Sequence, residues 1–236
     1  MKSRKGIFIT IDGIDGAGKT TQKKLLVRKI RKLGLPIKEI KFPQYNKRSA
    51  WQIKQYLNGF FGKLDEVNPY FASLLYADDR LEAKPTIEAW LKSGVVIISD
   101  RYAAANAGHQ GGKIVNPKKR KCYLNWLWET EFRVNRIPMP DINIILWVSP
   151  TIAYKLIFRK EKRGYLKKGR IRDGHERDLG HLRRAAASYK WLAKQDPRHF
   201  IIINCMKDER LLTPEEIHLK IWKKVGPVIT NSKKYR

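Results

Sequence analysis

The stretch that most constrains this chain is Ile7–Asp12 running straight into Gly13-Ile14-Asp15-Gly16-Ala17-Gly18-Lys19-Thr20. A short apolar strand, a glycine loop and a basic helix start, in that order, fit G-x-x-x-x-G-K-[ST]. Glycines let the backbone turn so that successive N–H groups point at phosphate oxygens. The helix that follows adds the positive end of its dipole. Lys19 then reaches the β- and γ-phosphates, and the Thr20 hydroxyl is placed to ligate Mg²⁺. Gly13, Ile14, Asp15, Gly16, Ala17, Gly18, Lys19, Thr20 and the adjoining Thr21 form the expected ATP site.

The rest of the chain repeats the strand-then-helix pattern. Short Ile- and Val-rich runs lie at Ile7–Asp12, Ile37–Phe42, Val95–Asp100, Ile142–Val148 and Phe200–Asn204. They are nearly continuous rather than alternating, as strands buried on both faces of a parallel sheet are. Helical segments are expected at Lys19–Leu33, Ala50–Leu57, Pro69–Leu91, Lys118–Arg133, Thr151–Lys162, Leu179–Lys194 and Pro214–Val225, the last with Thr213 as its N-cap. The expected fold is a three-layer α/β/α P-loop NTPase architecture around a five-stranded parallel sheet, with ligands at the C-terminal strand ends. Residues 160–178 resist assignment. They are basic and contain glycine, and they read as a mobile basic lid on a single domain spanning 1–236.

Composition narrows the setting. Two distant cysteines, Cys122 and Cys205, make neither a CxxC metal pair nor a disulfide framework, which fits a reducing cytoplasm. No apolar run approaches the roughly 20 residues that span a bilayer, and the N-terminal apolar run is too short for a secretory signal. The formal net charge is +28, spread over the whole chain rather than held in a tail. That field attracts polyanions weakly and without sequence preference, and it reads first as a solvated basic surface.

The third strand ends in Ser99-Asp100-Arg101-Tyr102. Beside a phosphate loop, Asp100 is placed to hold Mg²⁺ and Arg101 to grip a second phosphate bidentately. The residues from Asp12 to Gln22 then resemble the phosphate loop of thymidylate kinases. Phe42-Pro43, Leu74-Leu75-Tyr76-Ala77-Asp78-Asp79-Arg80, Asp100-Arg101-Tyr102, Gly108-His109-Gln110-Gly111-Gly112 and Pro138-Met139-Pro140-Asp141 continue that family's pattern in order. The likeness covers roughly residues 5–225.

The resemblance implies roles. Arg101 holds the dTMP phosphate, Tyr76 stacks on thymine, and Arg80 donates to a base carbonyl. Asp15 contacts the 3′-hydroxyl and the phosphate ligands. Phe42, Pro43, Asn106 and Gln110 line the base pocket. His109 stands where many relatives carry a tyrosine that crowds the sugar 2′-carbon. Tyr45 stands where many carry a phosphate-gripping arginine, so Arg48 is the expected substitute. Gly16 stands where some relatives supply a loop arginine. The missing charge is therefore expected from the basic segment, with Arg163 and Arg170 as the main candidates beside Arg159 and Arg172. Lys19, Arg101 and Asp15 complete the expected catalytic set, with Thr20 and Asp100 on the metal. The implied activity is transfer of the ATP γ-phosphate to dTMP in a cytoplasmic homodimer. The alternatives are a related kinase of another nucleotide such as dUMP, and a kinase-like nucleic-acid-binding protein.

Overall fold

The computed structural model describes residues 6–157 and 178–231. Five parallel strands form the sheet: β1 (Ile7–Asp12), β2 (Ile37–Lys41), β3 (Val96–Asp100), β4 (Ile142–Trp147) and β5 (Phe200–Asn204). Their order is β2-β3-β1-β4-β5. The first strand is thus central, with Ile11 beside Asp100 on one side and Ile144 on the other. Every residue of β1 and β3 is buried, which explains their unbroken apolar character. The edge strand β2 departs from that expectation. Lys38, Glu39 and Lys41 are exposed, and the strand stops one residue before Phe42.

Helices cover the sheet. The described ones are α1 (Lys19–Lys32), α2 (Trp51–Leu57), α3 (Pro69–Lys92), α4 (Ala103–His109), α5 (Pro117–Trp128), α6 (Pro150–Ile157), α7 (Leu179–Gln195) and α8 (Pro214–Asn231). Helix α1 packs on α8, and α4 packs on α7. The largest apolar cluster joins β1, β3, β4 and β5 to α1, α7 and α8 through Ile9, Leu26, Ile144, Leu182, Ile203 and Ile221. Among the described residues no helix is long and apolar enough to cross a membrane.

Several boundaries differ from the sequence expectation. Helix α5 ends at Trp128 and passes into a π-helical turn over Glu129–Val134. Helix α4 has no counterpart in the sequence expectation, because Ala103–His109 is short, mostly alanine and glycine, and carries too little periodicity to read. Helix α8 continues to Asn231 past Pro227, and its start is closed by a reciprocal pair. The Glu216 N–H donates to Thr213 Oγ1 at 3.2 Å, and the Thr213 N–H donates to Glu216 Oε2 at 2.7 Å. A small hairpin, β6 (Met206–Lys207) and β7 (Arg210–Leu211), precedes it. Its turn puts Asp208 at φ 47° and Glu209 at φ 62°, conformations that normally call for Asn-Gly.

Candidate active site

The phosphate loop is fixed from below. At Gly13 (φ 134°) an added Cβ would lie 2.6 Å from the Leu146 carbonyl oxygen of β4. At Gly16 (φ 83°) it would collide with the Ala153 backbone of α6. Glycine at 16 is therefore a packing requirement, and an arginine has no room there. Lys19 opens α1 and is buried. Its Nζ donates to the carbonyls of Gly13 at 3.0 Å and Ile14 at 2.8 Å, which holds the ammonium on the inner side of the loop.

Next to it Thr20 Oγ1 donates to Asp100 Oδ2 at 3.1 Å. Asp12, at the end of β1, is fully buried and neither carboxylate oxygen has a hydrogen-bond partner. Burial pushes its pKa up to about 7 against the pull of Arg101 and Lys19. Two carboxylates and a hydroxyl at one end of a phosphate loop suit a hard, oxygen-seeking divalent cation that shares its shell with phosphates and water. Among the described residues no cluster of three or more His, Cys, Asp and Glu forms a cage of its own, and Mg²⁺ bound through substrate phosphates needs none.

Beyond the loop lies a cleft open to solvent. Its walls are Asp15, Phe42, Pro43, Tyr45, Leu57, Tyr76, Arg80, Arg101, Tyr102, Ala105, Asn106, His109 and Gln110. Tyr76 is half-buried and meets Tyr56 edge-on at 6.2 Å between ring centres. Tyr76 and Arg80 are four residues apart on α3 and so share one face.

Arg101 sits on a strained backbone, with φ at 69°. Its N–H donates to the Ile11 carbonyl at 3.0 Å, and the Ser99 hydroxyl donates to its carbonyl, so the turn is pinned from both sides. The guanidinium is pinned as well. Nη2 pairs with Asp15 Oδ1 at 2.7 Å, Nη1 donates to His109 Nε2 at 2.8 Å, and Nη1 lies 3.4 Å from the Gly13 carbonyl. One cation thus stands between the phosphate loop and the cleft. Burial, and then the nearby Arg101 charge, hold the His109 pKa well below its usual value, so the ring is neutral.

Arg80 reaches the cleft wall in an unexpected way. It is fully buried and forms an ion pair with Glu131 on the π-helical turn, which is fully buried too. Nε donates to both carboxylate oxygens at 3.0 and 3.2 Å, Nη2 makes a third contact, and Nη1 lies 3.5 Å from the Tyr102 carbonyl. Burial lowers the Arg80 pKa, and the Glu131 carboxylate more than offsets it. Asn106 spends its amide N–H on the Ser73 carbonyl at 3.1 Å, which leaves its own carbonyl as an acceptor. Gln110 donates to the Tyr56 hydroxyl at 3.3 Å, and its Oε1 is buried without a partner.

One expectation is corrected. Arg48 is exposed on the turn leading into α2 and does not line the cleft. Its backbone carbonyl accepts from Trp51, which fixes the turn, and Tyr45 occupies the wall instead. Arg159, Arg163, Arg170 and Arg172 lie outside the described residues. Sequence reading missed Glu131, the buried carboxylate of Asp12 and the partners of His109 on α7. Asp12 carried the one available signal, as an acid ending an otherwise apolar strand.

The family model described as thymidylate kinase matches residues 11–215. A thymidylate kinase of Mycobacterium tuberculosis is 33% identical over 190 residues, covering 80% of this chain and 86% of that protein. One from Pelotomaculum thermopropionicum is 29% identical over 231 residues, covering 95% of each. The solved thymidylate kinase of Candida albicans superposes with a TM-score of 0.69 over 94% of this chain and 92% of its own, at 20% identity, which shows the shared fold.

Proposed function

The chain belongs to the thymidylate kinase family, and from that premise we propose how its own residues transfer the γ-phosphate of ATP to dTMP. The observation that carries the reading is Arg101, clamped between Asp15 and His109 in the wall of the cleft that Tyr76 also lines. A guanidinium fixed there presents its remaining N–H groups to the acceptor phosphate and holds it in line with the loop. Tyr76 offers a ring face to the base, and the acceptor oxygens of Asn106 and Gln110 suit the N3–H of thymine. His109 forms the wall beside the sugar, and both its ring nitrogens are engaged within the protein.

Phosphoryl transfer needs positioning and charge neutralisation more than covalent chemistry. Lys19 supplies one positive charge at the β/γ end of the donor. Thr20 and Asp100, with Asp12 behind them, would hold Mg²⁺, which adds charge between the phosphates. The lid arginines Arg163 and Arg170, within the single domain, are proposed to add the rest when the acceptor is bound. Asp15 acts on the acceptor side by orienting Arg101.

The working unit is proposed to be a homodimer. Phe71, Leu74 and Leu81 on α3 are exposed, and Phe60, Phe61 and Trp51 extend the same kind of surface at and after α2. Phe61 contacts both Phe60 and Phe71 at 5.4 Å between ring centres, so the aromatics form one patch. The cytoplasm is the proposed compartment, consistent with Cys122 and Cys205 both being free thiols. The high positive charge adds only weak, salt-sensitive affinity for polyanions.

The test is an acceptor panel with ATP and Mg²⁺, read by ADP release. The panel holds dTMP, dUMP, ribothymidine monophosphate, other deoxynucleoside monophosphates and thymidine. The expected result is the highest kcat/KM for dTMP, with ribothymidine monophosphate weaker. A higher value for any other acceptor overturns the assignment.

A further inference from the structure

Histidines 109 and 181 carry an ordered chain of contacts. Arg101 Nη1 can only donate, so His109 Nε2, 2.8 Å away, is the bare nitrogen and the ring proton sits on Nδ1. That Nδ1 lies 3.1 Å from His181 Nε2, with the two ring planes only 18° apart. His181 Nε2 must therefore accept, and its own proton moves to Nδ1. This nitrogen faces Asp65 Oδ1 at 3.6 Å, beyond a full hydrogen bond but inside ion–dipole range. Arg184 Nη2 holds the other Asp65 oxygen at 2.5 Å. A single choice of tautomers suits both close contacts, Arg101–His109 and His109–His181, and turns the His181 Nδ1–H towards the Asp65 carboxylate.

We propose that His181, backed by Asp65, is a positioning residue for the monophosphate site: it locks His109 in the Nδ1–H tautomer, and so fixes Arg101. The proposal rests on the reading of the cleft as the site for the acceptor phosphate. In the opposite tautomer a His109 N–H would face an Arg101 N–H. The guanidinium, already on a strained backbone, would then swing away from His109 or from Asp15. The acceptor phosphate would meet a cation with several orientations instead of one. His181 is buried, is not among the residues lining the cleft, and reaches Arg101 through His109.

Steady-state kinetics and histidine ¹⁵N spectra on the full chain test this. His181→Leu keeps the volume and removes both ring nitrogens. It is expected to raise the KM for dTMP about tenfold, the order of one charged hydrogen bond, with the KM for ATP within about twofold. His181→Gln, whose amide can accept from His109 and donate towards Asp65, is expected to restore most of the loss. Asp65→Ala, on a partly exposed loop, is expected to shift the dTMP KM the same way by about threefold. The ¹⁵N spectra of the unmodified protein are expected to show His109 protonated on Nδ1.

The proposal is overturned by a proton on Nε2. It is equally overturned if His181→Leu leaves the dTMP KM within twofold, or if Gln behaves like Leu. Arg101→Ala separates the two levels. A tenfold or larger rise in dTMP KM there, with a silent His181→Leu, removes the positioning role alone. An unchanged dTMP KM in Arg101→Ala removes the reading of the cleft itself.

Discussion

Removal of the Glu131 carboxylate is expected to cost more than any surface change in this protein. Glu131 and Arg80 are both fully buried, and two nitrogens of the guanidinium are spent on that carboxylate. In Glu131→Ala the arginine keeps its charge and loses the one ion pair it makes among the described residues. Leaving one partner of such a pair buried and uncompensated costs about 3–5 kcal/mol. Against a total stability of roughly 5–15 kcal/mol that is a large share. For a chain of this size it corresponds to a fall in Tm of roughly 6–20 °C. Urea unfolding followed by far-ultraviolet circular dichroism measures it. The double variant Arg80→Met/Glu131→Leu removes both charges and refills the space. Its loss is expected to be smaller than the sum of the two single losses by about 1 kcal/mol or more. A single-variant cost below about 1 kcal/mol, or strict additivity in the double variant, would refute the mutual dependence of the buried pair.

Two further outcomes follow from other residues. His109 has its pKa held well below the unfolded value of about 6.5, first by burial and then by Arg101, so below that pH the unfolded chain binds a proton that the folded one refuses. Stability is present above pH 6.5 and declines as pH falls, by up to about 1.4 kcal/mol per unit; His109→Gln should lose one proton's worth of that slope between pH 6.5 and 5, and identical slopes would sink the reading. Leu74→Glu, on the exposed face of α3, is expected to convert the proposed homodimer to a monomer in sedimentation analysis, and an unchanged sedimentation coefficient would refute α3 as its interface.

What the sequence made legible was contiguous. The phosphate loop and the Asp100-Arg101 pair are short runs whose chemistry is local, and buried parallel strands announce themselves as unbroken apolar runs. What stayed hidden was pairing across distance. Glu131 meets Arg80 across 51 positions, through a π-helical turn that no propensity signals. His181 and Asp65 face each other from positions far apart in the chain. The left-handed backbone at Arg101 is imposed by the Ile11 and Ser99 contacts rather than by its own residue type. Arg48 shows the reverse error, since a basic residue near the right place in sequence faces solvent in space.

The central place of β1 governs the order in which a newborn chain can become structured. The strand is made first, yet its partners β3 and β4 begin at Val96 and Ile142. The floor beneath Gly13 is the Leu146 backbone, and that of Gly16 is Ala153. From Asp12 to Ile142 the ribosome adds 130 residues, which at roughly 5–20 residues per second takes about 6–26 s. Until Val96–Asp100 has been made Ile7–Asp12 lacks both sheet neighbours, and for the whole interval the loop behind it lacks its β4 floor. The Lys2-Ser3-Arg4-Lys5 run ahead of it and Lys19, Lys23 and Lys24 after it flank the strand with repelling charge, as gatekeepers do. The phosphate loop thus has its full floor, the Leu146 and Ala153 backbone, only once β4 and α6 have left the ribosome.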